Sequence, residues 1–231
     1  MVKLMKVSKW KEWVFIFHMI GCVQFIVLTF TGMLCYAGGT MQDPLVPGYS
    51  FFQNFFSEIG LTIARSGESN LISFVLFSLA FFIVGISLVP SFVVFPILFK
   101  RKKLSLYLTV LGSCIGIFTA CCFSGITFAP ADINGPLHSW FVRAGFISGL
   151  FVSILYSAAI FINKSYPMKY GFNFLFFTVV LAAYIILMFT GPSVATFEGL
   201  TIQATGQKIV LYTFAVCLLI HGYGACKEVK N

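Results

Sequence analysis

Residues 71–103 read LISFVLFSLAFFIVGISLVPSFVVFPILFKRKK. Twenty-nine positions pass without a charge, and then four basic residues arrive together. A helix on the surface of a soluble domain needs a polar face, and this run has none. A helix that crosses a bilayer needs about 20 mostly apolar residues. It must be a helix because lipid offers no partner to backbone N–H and C=O groups. The run over 71–98 is therefore read as a membrane span, with Lys100, Arg101, Lys102 and Lys103 at the headgroups.

Five more runs of this kind lie outward from it, at about 13–37, 104–129, 140–162, 171–193 and 209–226. The whole chain is 59% hydrophobic and 10% charged, where a soluble domain carries about 25% charge. Barrel strands alternate apolar and polar residues, and these runs do not. The sequence predicts an all-α integral membrane protein, one membrane domain over 1–231, built as a six-helix bundle. Most connections are short, so consecutive spans should pack as antiparallel neighbours. Pro90 and Pro96 should kink the second span or end it early. The apolar core of the first run exceeds the roughly 7–15 residues of a signal peptide, so it is expected to stay as a span. No lipid-anchor motif stands out.

The basic residues predict orientation. Lys3, Lys6, Lys9 and Lys11 precede the first span, and the 100–103 cluster follows the second. Lys164 and Lys169 separate spans four and five, and Lys227 and Lys230 follow the sixth. Only Arg65, Arg143 and Lys208 fall on the other side. Both termini are expected in the cytoplasm, with the cell membrane as the site. The net charge of +8 reflects this bias. It is not a nucleic-acid footprint, because the lysines flank spans and form no continuous surface. The seven cysteines lie in or beside spans, offer no disulfide framework, and read as small apolar fillers.

The segment 38–70 is too long for a simple turn. Phe51, Phe55, Ile59 and Ile63 recur every four residues, with Asn54, Glu58, Thr62 and Arg65 opposite. That period predicts an amphipathic helix near 49–65, lying in the outer interface with its apolar side in lipid.

Acidic residues gather on the side opposite the lysines: Asp43, Glu58, Glu68, Asp132 and Glu198. Carboxylates do little to set topology, so the grouping points to a site. His138, Arg143, Gln203, Gln207 and Lys208 lie at the same level. Each has a plain alternative: Asp132 serving only its own turn, Arg143 snorkeling to headgroups, and Glu58 as the polar side of an interfacial helix. Together they form a candidate pocket. His138 with Asp132 or Glu58 would do the acid–base work, and Arg143 and Lys208 would hold a phosphate. Glu58, Asp132 and His138 are also candidate ligands of a divalent metal, a set open to several metals and diagnostic of none. The middle thirds of the spans hold no Asp, Glu, Lys or Arg, which argues against an ion pump. Gln24 and Asn173 should hydrogen-bond between helices. His18 and His221, near the inner ends, should touch each other or headgroups.

The order Tyr49-Ser50, Ser57-Glu58-Ile59-Gly60, Phe128-x-Pro130-x-Asp132, His138 and Gln207-Lys208 resembles the DUF998 family of six-span membrane proteins. In outline it is also similar to the Frag1/DRAM/Sfk1 group. The resemblance covers about 10–226. It implies that Ser57, Glu58, Asp132, His138, Gln207 and Lys208 belong together, and it supplies no reaction. Ala129 before Pro130 and Lys208 in place of Arg depart from the family pattern. Three functions stay open at this point: an enzyme acting on a lipid or lipid-linked headgroup, a non-catalytic lipid-binding or interaction protein, and a transporter of a neutral or lipidic solute. The partner expected is a membrane lipid.

Overall fold

A computed structural model describes residues 2–230, with residues 2–8 described by backbone alone. The side chains of Lys3 and Lys6 thus lie outside the described residues. Six helices follow in order: α1 (Val2–Leu34), α2 (Leu71–Val94), α3 (Lys103–Gly125), α4 (Gly135–Ile162), α5 (Met168–Thr190) and α6 (Phe197–Lys230). All six are long and apolar enough to cross a membrane, which is the architecture of a multi-pass membrane protein. The sixth starts a dozen residues earlier than its apolar run, so Gln203, Gln207 and Lys208 lie on a helix rather than in a loop.

Each helix packs on its chain neighbours, and α6 returns to α1. The result is a closed ring of antiparallel helices with both termini at one end. Lys230 and Glu12 pair there at 2.7 Å. We call this the terminal end and the opposite one the loop end. Short polar links reinforce the ring. Gln24 Nε2 donates to Ala80 O at 3.0 Å, and Asn173 Nδ2 donates to Cys217 O at 3.0 Å, as expected of polar side chains in lipid-facing helices. α2 runs on through Pro90 and tightens to a 3₁₀ turn over Phe95–Phe99, with Pro96 at its start.

The terminal half is filled with rings. Phe15, Phe95, Phe99 and Tyr156 are fully buried. His18 and His221 are buried too, their rings 5.6 Å apart. Contact with each other, not with headgroups, is what the fold selects.

The largest departure from the sequence reading is residues 35–70. No amphipathic helix spans 49–65. The segment is irregular apart from a 3₁₀ turn over Phe56–Gly60 and a single antiparallel bridge between Ile63 and Ser69, and it turns into the bundle instead of lying on it. Phe56 is fully buried, stacked on Phe25 at 5.9 Å and edge-on to Tyr212 at 5.7 Å. Ile59 is fully buried as well, and a Cβ on Gly32 would stand 2.7 Å from its Cγ2. Phe51, Phe52 and Ile63 remain exposed. The four-residue period is real, but its apolar members divide between core and surface. The segment is a plug in the loop end of the ring.

Candidate functional site at the loop end

Glu58 organises the plug. Its carboxylate is 2% exposed and accepts three hydrogen bonds. Arg65 Nε donates at 2.6 Å, Asn54 Nδ2 at 2.8 Å and the Phe55 N–H at 3.0 Å. Asn54 also donates to Gly39 O at 2.8 Å and accepts from the Ser50 N–H at 2.8 Å. The polar stripe Asn54–Glu58–Arg65 therefore faces inward and closes on itself, because a buried carboxylate must be paired. Gly39 has φ +81°, and a Cβ there would stand 2.3 Å from Ser66 N. Only glycine allows the two strands of the plug to cross so closely.

Three neighbours fasten the plug. From α6, the Lys208 ammonium donates to Asn54 O, and to Ala204 O at 3.1 Å. It is 1% exposed and sits 5.3 Å from the ring centres of both Tyr49 and Phe51. Also on α6, Gln207 Oε1 accepts from the Ser57 N–H at 3.3 Å. From the α3–α4 turn, Asp132 Oδ2 accepts from the Thr62 hydroxyl at 2.5 Å and from the Thr62 and Ile63 N–H groups at 3.0 Å. Desolvation works against the Asp132 charge, but these three donors outweigh it and hold the carboxyl below its ordinary range. From α1's end, the Tyr36 hydroxyl accepts from the Arg65 N–H at 3.1 Å. Burial pushes that phenol up to about 12.

These contacts correct several sequence assignments. Glu58 and Asp132 are committed to the plug, and neither hydrogen-bonds His138. Lys208 is a fastener, not a phosphate clamp. Glu58, Asp132 and His138 do not form a metal-binding group, and no three His, Cys, Asp or Glu side chains among the described residues do. Glu198 is exposed in the first turn of α6.

The remaining candidates meet at a cavity of about 460 Å³ between the plug and the loop ends of α4, α5 and α6. Its polar lining includes Ser57, Arg65, His138, Ser139, Arg143, Gln203 and Gln207. Tyr184, Met188 and Val142 supply the rest of the wall. His138 and Arg143 are five residues apart and do not share a helix face, but the cavity wraps the end of α4 widely enough to touch both. No carboxylate lines it. Arg143 makes no ion pair among the described residues. Its guanidinium stands 5.9 Å from the Phe189 ring centre, on the outer surface of α5.

His138 is buried, and its Nδ1 lies 2.9 Å from Ala129 O. A carbonyl only accepts, so in the neutral ring Nδ1 carries the proton and Nε2 the lone pair. Nε2 is buried and has no hydrogen-bond partner. A backbone carbonyl, not a carboxylate, thus orients this imidazole. Beneath the cavity lies a narrow crevice of about 10 Å³, which shares Ser57, His138, Val142 and Gln207 with it. Phenylalanines 56, 77, 81, 123 and 146, with Ile126 and Leu211, form the rest of its wall.

Sequence reasoning named Ser57, His138, Arg143 and Gln207, which the fold brings together. It gave no role at the cavity to Arg65, Ser139 or Tyr184. The Asn54–Glu58 spacing of four was the available sign of a local carboxylate–amide pair. No protein-family model, curated protein or solved structure matches the chain.

Proposed function

We propose that this multi-pass membrane protein binds the phosphate of an anionic lipid headgroup in its loop-end cavity. One observation carries the reading: two guanidinium groups line the cavity and no carboxylate does. Arg65 is paired with Glu58 through Nε alone, which leaves its terminal nitrogens for a ligand, and Arg143 has no ion-pair partner among the described residues. Forked guanidinium donors suit phosphate oxygens. A lipid is favoured over a soluble anion by the position of Arg143. It sits at the boundary between the cavity and the apolar outer surface, beside the exposed ring of Phe189.

The catalytic reading has less support, because both carboxylates assigned to it are engaged elsewhere. A transport path is opposed by the packed aromatic terminal half. The basic asymmetry supports a cytoplasmic terminal end and an outward-facing cavity, in the cell membrane. The order of the Ser57-Glu58, Asp132, His138 and Gln207-Lys208 motifs, together with their grouping at one end, supports membership of the DUF998 family. A DUF998 structure without the Glu58 and Lys208 fastenings would count against it.

The test is native mass spectrometry of the whole protein in detergent, titrated with matched lipids. Phosphatidylglycerol should be retained over phosphatidylcholine, and free glycerol phosphate should not bind. Arg143→Gln should lower phosphatidylglycerol retention about tenfold, the scale of one charge-assisted hydrogen bond. Equal retention of both lipids by the unaltered protein would refute the reading.

A further inference from the structure

The two arginines account for a phosphate. They leave unexplained the buried Nε2 of His138, which has no partner. A buried acceptor without a donor is costly, so a site of this kind implies something that donates to it. The Ala129 carbonyl fixes the proton on Nδ1, so in the neutral ring Nε2 offers a lone pair, which repels a phosphate oxygen and attracts an O–H. The crevice that His138 shares with Ser57 and Gln207 is about 10 Å³, room for a single oxygen atom. Its remaining wall is apolar, so an oxygen placed there must find its partners among these three residues. Ser57 can donate or accept through its hydroxyl, and Gln207 can do both through its amide.

We propose that His138, Ser57 and Gln207 form a hydroxyl subsite, and that the ligand is a phosphodiester lipid with a polyol headgroup. This rests on the anionic-lipid reading above. The phosphate lies against Arg65 and Arg143 in the cavity, and one headgroup hydroxyl enters the crevice and donates to Nε2. The same lining disfavours choline and ethanolamine headgroups. A cationic head would meet two guanidinium groups, with no carboxylate to receive it. His138 is therefore a specificity-determining residue that breaks no bond.

The decisive comparison uses two lipids with the same acyl chains and the same charge. Phosphatidylglycerol carries headgroup hydroxyls and phosphatidylmethanol carries none. Native mass spectrometry of the whole protein should show phosphatidylglycerol bound about fivefold to tenfold tighter, the worth of one buried hydrogen bond. His138→Asn places an amide N–H where Nδ1 stood, keeps the Ala129 tie and removes Nε2. It should abolish the preference by lowering phosphatidylglycerol binding to the level of phosphatidylmethanol. Ser57→Ala should reduce the preference without changing thermal stability, which separates a lost contact from misfolding.

Equal binding of the two lipids by the unaltered protein would overturn the hydroxyl subsite and leave the anion site standing. It would mean that water alone fills the crevice. Failure of either lipid to outcompete phosphatidylcholine would remove the anion site as well. A preference that survives His138→Asn would also overturn the assignment, since the selecting group would lie elsewhere.

Discussion

Lys208 and Glu58 never touch, yet Asn54 joins them. The Lys208 ammonium donates to the Asn54 carbonyl, and the Asn54 amide donates to the Glu58 carboxylate. A cation on α6 and an anion in the plug are thereby placed on either side of one asparagine, both shielded from solvent. The pair belongs to the architecture that holds the cavity open, not to its lining.

Glu58→Gln should be disruptive despite its matching shape. Glu58 accepts from Arg65, Asn54 and Phe55, all donors. A glutamine amide nitrogen must face at least one of them. The expected loss is about 2–4 kcal/mol, the range for breaking a buried charged pair. It should appear as a lower unfolding temperature and as faster tryptic cleavage after Arg65. An unchanged cleavage rate would mean that Glu58 does not order the plug.

Lys208→Met fills similar volume without the charge. Asn54 O keeps the Tyr49 hydroxyl at 3.2 Å, so the loss should be smaller, about 1–3 kcal/mol for a charge-assisted bond. Lys208→Arg should not restore stability. A planar fork does not fit a pocket made of two carbonyls and two ring faces. Thermal unfolding of both variants in one detergent checks this, and full recovery by arginine would contradict it.

Asp132 should make the plug's fastening acid-sensitive. Its native carboxyl titrates below its unfolded value of about 3.9. Its stabilisation is therefore complete above that value and fades as pH falls through the lower native one. Asp132→Ala should cost about 1 kcal/mol at neutral pH, since the site is exposed enough for water to replace the lost acceptor. The gap in unfolding temperature between the two proteins should be constant from pH 5 to 7 and close below about pH 4. A gap that does not narrow at all as the pH falls below 4 would exclude ionic fastening.

The orientation has a direct check. Glu68 and Lys164 are both exposed, at opposite ends of the bundle. In cells, Glu68→Cys should react with a membrane-impermeant maleimide and Lys164→Cys should not. The reverse pattern would invert the assignment of the cavity to the outer side.

Much of this protein is legible one residue at a time. Six apolar runs such as 71–99 specify six helices, because lipid leaves the backbone no other way to pair its polar groups. Short connections then specify antiparallel neighbours. The same local logic explains why Gln24 and Asn173 reach across to adjacent helices.

The plug was beyond that logic. The period of Phe51, Phe55, Ile59 and Ile63 is what an interfacial helix would show, and nothing local tells Phe56 that a ring of aromatics waits for it. Whether a polar stripe faces water or closes on itself depends on donors supplied from elsewhere: Lys208 from 154 positions away, and Asp132 through the Thr62 and Ile63 backbone. The sequence by itself determined helices, spans and the end at which polar groups collect, since these follow from hydropathy along the chain. Only the tertiary structure decided which acids hold the fold together and which cations line the cavity. A charge's role is set by the partners that three-dimensional packing brings within hydrogen-bonding reach.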